Sequence, residues 1–202
     1  MSMSASVNDE LRRELLAMRE EDLRVRAEVI AGSSSFDGYH PRMEEVHKRN
    51  ATRLKEIIAQ HGWPGRSLVG EDGAVAAWFI AQHAISDPPF QRHVLELLRE
   101  AAHRGEVSAM AVAFLEDRIR ACEGRPQIYG TQFEPDEHGI PQPCPIEDPE
   151  HVNERRLAIG MNTIEERTRE LQKEQQPEYN PEKHAEYERN YREWLRKVGW
   201  RS

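Results

Sequence analysis

Residues 74–85 read Ala74-Val75-Ala76-Ala77-Trp78-Phe79-Ile80-Ala81-Gln82-His83-Ala84-Ile85. The uninterrupted apolar part, Ala74 to Ala81, is eight residues long, well short of the roughly 20 needed to cross a bilayer. A helix that is apolar on nearly all sides belongs at the centre of a packed bundle. Asp72 or Gly73 opens this segment, and its end is marked by the abrupt arrival of Gln82 and His83.

The flanking sequence supplies the helices that such a centre needs. Upstream, Leu11, Leu15, Met18, Val25 and Val29 recur at three- and four-residue steps from Asn8 to Ala31, with Ser6 and Asp9 as a capping signature and Gly32 followed by three serines as the stop. After Tyr39-His40-Pro41, a second helix carries Met43, Val46, Leu54, Ile57 and His61 on one stripe. His61-Gly62-Trp63-Pro64-Gly65 then breaks the chain. Downstream, Asp87-Pro88 caps a helix bearing Phe90, Val94, Leu97, Leu98 and Ala101 up to Gly105. A fifth helix runs from Glu106 or Ser108 to Cys122, ahead of Gly124-Arg125-Pro126.

Beyond Cys122 the pattern changes. Gln127 to Phe133 has extended character, and four prolines from Pro135 to Pro145 predict an irregular stretch. Asp148-Pro149 starts a helix to about Ile159, and Thr163 with Glu166 starts another that fades between Lys173 and Gln176. Pro177 and Pro181 mark a linker, followed by a last helix with Tyr187, Tyr191, Trp194 and Val198 on one stripe. The expected fold is therefore mainly α: a compact helical bundle of about five to seven helices with one extended or loop segment, residues 127–147, laid over it. Residues 8–176 would form the helical domain and residues 177–202 a C-terminal linker plus amphipathic helix.

Composition narrows the function classes. The 202 residues carry 28 basic and 36 acidic side chains, a formal charge of −8. With no long Lys/Arg block, the chain lacks the phosphate-neutralising surface of a nucleic-acid binder. No membrane span is expected, and the Ser-rich, acidic Met1 to Glu10 does not resemble a signal peptide. Two isolated cysteines, Cys122 and Cys144, suit free thiols in a reducing cytoplasm. Phosphate-loop, dinucleotide and nucleophile-elbow signatures are missing. His83 and Asp87 have a helical ligand spacing, with His93 and His103 downstream, but no HExxH or Cys-His set accompanies them, so the sequence names neither metal nor cofactor.

Helix phase exposes polar residues where apolar ones belong. Asp22 sits between Met18 and Val25, Asn50 between Val46 and Leu54, and Gln82 with His83 at the end of the apolar run. Asp87 and Gln91 follow, and of Asp117 and Arg118 at least one must face inward. An isolated buried carboxylate costs several kcal/mol, so these groups are expected to share one polar cluster. Taken singly, such residues more often cap or crosslink helices than bind ligands.

His61-Gly62-Trp63-Pro64, Ala76-Ala77-Trp78, Ala81-Gln82-His83, Asp87, Gln91 and Tyr129-Gly130-Thr131-Gln132 together resemble an uncharacterised bacterial family, a domain of unknown function. The likeness covers roughly Leu11 to Arg167, including Pro145-Ile146-Glu147-Asp148 and Arg155-Arg156, but not the last helix. It implies recurrent polar positions similar to Gln82, His83, Asp87, Gln91, Tyr129 and Gln132, and no established activity.

Two functions fit. The first is a small-molecule enzyme or binder with its pocket beneath Gln127 to Phe133. There His83 would transfer protons with Asp22 or Asp87 orienting the imidazole; Asn50, Gln82, Gln91, Tyr129 and Gln132 would contact the substrate; Arg118 and Arg155 or Arg156 would hold an anionic group. The second is a protein-interaction module, such as an immunity, antitoxin-like or regulatory partner. It would use the acidic surface and the Tyr187, Tyr191, Trp194 stripe for a partner or for self-association. Because exposed aromatic stripes are rare on soluble monomers, folding back onto its own domain is the favoured reading of that stripe.

Overall fold

The computed structural model describes residues 7–32, 39–174 and 179–202. The Ser6 cap, the serines after Gly32 and Pro177 of the expected linker lie outside the described residues. Among those described there are eight α-helices and one two-stranded sheet: α1 Asp9–Gly32, α2 Pro41–His61, α3 Arg66–His83, α4 Pro88–His103, α5 Ala109–Glu123, β1 Phe133–Pro135, β2 Pro141–Pro143, α6 Val152–Ala158, α7 Ile164–Lys173 and α8 Pro181–Lys197. The fold is mainly α.

Helix α3 is the axis. It packs against α1, α2, α4 and α5, which is why it is apolar all round. Ala76, Ala77 and Ala81 are fully buried, and their small side chains leave room for the neighbours' Leu15, Leu54, Ile57, Val94, Leu98 and Leu115. The helix is broken at Gly70, whose φ of 74° suits only a residue without a Cβ, so the main run starts where Asp72 and Gly73 predict. Arg12 of α1 clamps the kink with Nε and Nη2 2.7 and 2.6 Å from the Asp72 carboxylate.

The prolines after Phe133 do not exclude regular structure as expected. Pro135, Pro141 and Pro143 lie in the β1–β2 hairpin, in register Phe133↔Pro143 and Pro135↔Pro141. Both strands are edges, so the missing proline N–H groups leave the ladder unharmed.

The C-terminal helix is part of the core. Leu195 and Trp200 belong to the same buried cluster as α1–α5. Trp200 Nε1 donates to the Ile85 carbonyl at 2.7 Å, and Arg201 donates to the carbonyls of Cys122 and Ala121, which the end of α5 leaves open. Trp194 and Tyr191 of the aromatic stripe are partly buried against the core, and Tyr187 is exposed: Trp194 stacks on Tyr39 at 4.3 Å between centroids, with Tyr191 and Tyr187 continuing the stack at 5.8 Å steps.

Leu195→Ala should lower the unfolding free energy by about 2–5 kcal/mol, and a chain ending at Gln176 should melt earlier still. Urea denaturation checks both; an unchanged midpoint for either would show that α8 is not integral.

Candidate functional site

Three helices each deliver one polar side chain to a common point. On α1 the Met18, Asp22, Val25 stripe forces Asp22 inward, where it is fully buried. On α2 the residues Met43, His47, Asn50 and Leu54 share the buried face, which brings in His47. The last turn of α3 supplies His83. Its Nδ1 lies 3.1 and 3.0 Å from the two Asp22 carboxylate oxygens, and His47 Nε2 lies 3.0 Å from Oδ2. The Tyr39 hydroxyl bonds His47 Nδ1 and reaches 3.5 Å to the His83 carbonyl, while the Phe79 ring packs 4.1 Å from the His83 ring.

The electrostatics follow from burial and contact. Desolvation pushes the Asp22 carboxyl up, but the imidazoles of His47 and His83 outweigh it and hold the group below the ordinary carboxylate range. Burial pushes His83 down, against a partial upward pull from Asp22, with His47 and Arg118 adding to the fall. Asp22 is thus ionised beside a neutral His83. A carboxylate only accepts, so Nδ1 of His83 donates and its Nε2 keeps a lone pair.

The cluster forms the inner end of a cleft of about 430 Å³ between α1, α2, α5 and α8. Arg118, Tyr187 and Tyr191 line it further out, with Arg26 at the rim. Side-chain exposure is 14% for His83, against 6% for His47 and 1% for Asp22, so His83 is the member open to the cleft. Arg118 is half-buried and donates from Nε to Gln82 Oε1 at 2.7 Å. Among the described residues no carboxylate forms a salt bridge with it.

Of the candidate site residues the sequence singled out, the structure places His83 and Arg118 on the cleft wall, with Asp22 buried behind His83 and Gln82 bracing Arg118. The others stand elsewhere. Asn50 ties α2 to the Met18 carbonyl at 3.3 Å. Gln91 donates to the Ala81 and Gln82 carbonyls at 2.7 and 3.0 Å, fixing the end of α3 and hence His83. Asp87 caps α4 and pairs with Lys55. Tyr129, Gln132, Arg155 and Arg156 belong to a second polar system that fastens the 127–147 segment.

That segment does not roof the cleft; α8 does. The reason is Asp117, whose carboxylate collects the N–H groups of Ile128, Tyr129 and Thr131 at 2.6 to 3.2 Å. A loop near the core must place its backbone donors somewhere, and Asp117 is where these go. Arg156 donates to the carbonyls of Tyr129 and Gly130, Arg155 to those of Ile128, Glu147 and Asp148, and Gln132 Nε2 to Thr131 Oγ1. Both arginines are therefore committed to the chain itself. Asp117 and Arg118 are one residue apart on α5, about 100° around the helix, so one serves the loop and the other the cleft.

His47 and Tyr39 escape the sequence reading. His47 was legible by the same phase test that finds Asn50, three residues before it on the buried stripe. Tyr39 precedes its helix, and no periodicity points to it.

Asp117→Ala should destabilise the chain by roughly 1–3 kcal/mol and speed amide exchange at Ile128, Tyr129 and Thr131, leaving cleft binding intact. Hydrogen exchange followed by NMR checks this, and unchanged protection at those amides would contradict it.

No helix among the described residues is long and apolar enough to cross a membrane. No curated protein and no solved structure matches the chain. A family model matches residues 9–176, from the start of α1 past the end of α7, so that α8 lies beyond it. The chain belongs to DUF6624, a family of unknown function.

Proposed function

We propose that the chain is a small-molecule enzyme or binder acting in the cleft between α1, α2, α5 and α8. What carries the reading is that His83, the one partly open member of a buried Asp-His-His cluster, lines the same cleft as Arg118. Asp22 accepts from Nδ1 of His83 and fixes its tautomer and orientation, which leaves Nε2 free to take or return a proton at a bound molecule. Arg118, braced by Gln82 and without a carboxylate partner among the described residues, holds an anionic group, for which a guanidinium fork suits carboxylate or phosphate. The two free cysteines fit a reducing, cytoplasmic setting.

The interaction-module reading keeps the acidic surface and the exposed Tyr187 in its favour, while Trp194 and Tyr191 of the stripe pack against the chain's own residues. The small-molecule reading uses the polar groups that this packing encloses.

NMR titration with inorganic phosphate and with small dicarboxylates checks the proposal. Shifts should centre on His83, Arg118 and Tyr191, and Arg118→Gln should weaken binding at least about tenfold, the loss of one charge-assisted contact, with little change in melting temperature. Shifts scattered over surface lysines, or binding unaffected by Arg118→Gln, would remove the cleft from consideration.

A further inference from the structure

The inner end of the cleft has the donor set of a metal centre, and we propose that Asp22, His47 and His83 together bind one divalent transition-metal cation, with Zn²⁺ as the reference. Nε2 of His47, Nδ1 of His83 and a carboxylate oxygen of Asp22 all lie within 4.8 Å of one another. Ligand bonds of about 2.0–2.2 Å in tetrahedral geometry set donors about 3.3 Å apart, so the two 3.0 Å contacts to Asp22 open by a few tenths of an ångström and the two imidazole nitrogens, within 4.8 Å of each other, turn toward the cation. Two imidazoles and one carboxylate form a recurrent three-ligand set that leaves positions on the cation open.

A second observation concerns His47 alone. Its Nε2 is enclosed and has no aligned hydrogen-bond partner, although Asp22 Oδ2 is 3.0 Å away. A proton on Nε2 would point along the ring's in-plane axis, which the carboxylate does not occupy; a cation about 2 Å out on that same axis bonds Nε2 and still reaches the carboxylate oxygen off it.

The far side of the ring agrees. The Tyr39 hydroxyl bonds His47 Nδ1 and makes a longer, 3.5 Å contact to the His83 carbonyl. Metal-bound histidines usually have their other nitrogen held by such an outer partner. On binding, the proton of His83 moves from Nδ1 to Nε2, and Nδ1 becomes a ligand.

The inference deepens the proposed function and rests on it only for the cleft as the place where an anionic ligand meets the cation. In the loaded state His83 is a ligand and a donor through Nε2–H. The proton-transfer role assigned to it above belongs to the unloaded protein.

The full chain, stripped with a chelator, is titrated with Zn²⁺ in competition with a chromophoric chelator, and with Co²⁺ by visible absorption. One equivalent should bind with intense Co²⁺ bands. His47→Ala should abolish the site, Tyr39→Phe should weaken it by about 10–100-fold, and His93→Ala, at an exposed position of α4, should leave it unchanged. Equal affinity in wild type, His47→Ala and His93→Ala, or no binding at all, would overturn the proposal. If His47→Ala does not fold, the histidine ring ¹⁵N shifts of the wild type decide: Zn²⁺ should move His47 and His83, and movement of exposed histidines alone overturns it. Loss of the cation site with Arg118-dependent phosphate binding retained removes the metal only. A retained cation site without anion binding removes the small-molecule reading only.

Discussion

The carboxylate of Asp22 is the constraint around which α1, α2 and the end of α3 are arranged. A charge with no solvent access is several kcal/mol out of balance unless it is paired and bonded. The chain provides partners from two other helices: His47 from α2 and His83 from the end of α3. Satisfying one buried ion thus ties together the rotation of α1, the register of α2 against it and the placement of the last turn of α3. Apolar packing alone, through Val25, Val29, Met43 and Val46, would tolerate small slips of these helices; the polar contact does not.

Around that point the residues divide by helix phase into two groups with different work. Arg118 faces the cleft and Asp117 faces the loop, and the amides of Gln82 and Gln91 brace the groups that bound the cleft. Several polar residues in a thin core therefore serve the backbone. Gln91 ends α3, Asp117 collects loop amides, and Arg156 gathers loop carbonyls, where Gly130 lies so close to Ile164 that a Cβ would fall 2.6 Å from Cδ1. Their burial is explained without a ligand. The Asp22 cluster is different, because one of its members opens to a cleft with an arginine on its wall.

Much of this is legible in the sequence because helix phase is a local property. The Ala74 to Ala81 run locates α3, the cap-plus-proline pair Asp87-Pro88 locates α4, and the 3.6-residue period places Asp22, Asn50 and, by the same test, His47. What phase cannot give is which helix faces which. The sequence sets the 127–147 segment over the cleft, whereas α8 closes it, since the choice depends on Asp117 reaching amides 11 to 14 residues away and on Trp200 reaching the carbonyl of Ile85. Tyr39 is hidden for a related reason: it acts from outside any periodic segment.

Asp22 and His47 act as one unit inside the bundle, and a double-mutant cycle on the chelator-stripped chain measures their coupling most directly. Unfolding free energies of Asp22→Asn, His47→Gln and the double variant should be non-additive by at least about 1 kcal/mol, as for groups sharing a buried polar network. Additivity within about 0.5 kcal/mol would mean that the two side chains do not interact, and the centre described here would not exist.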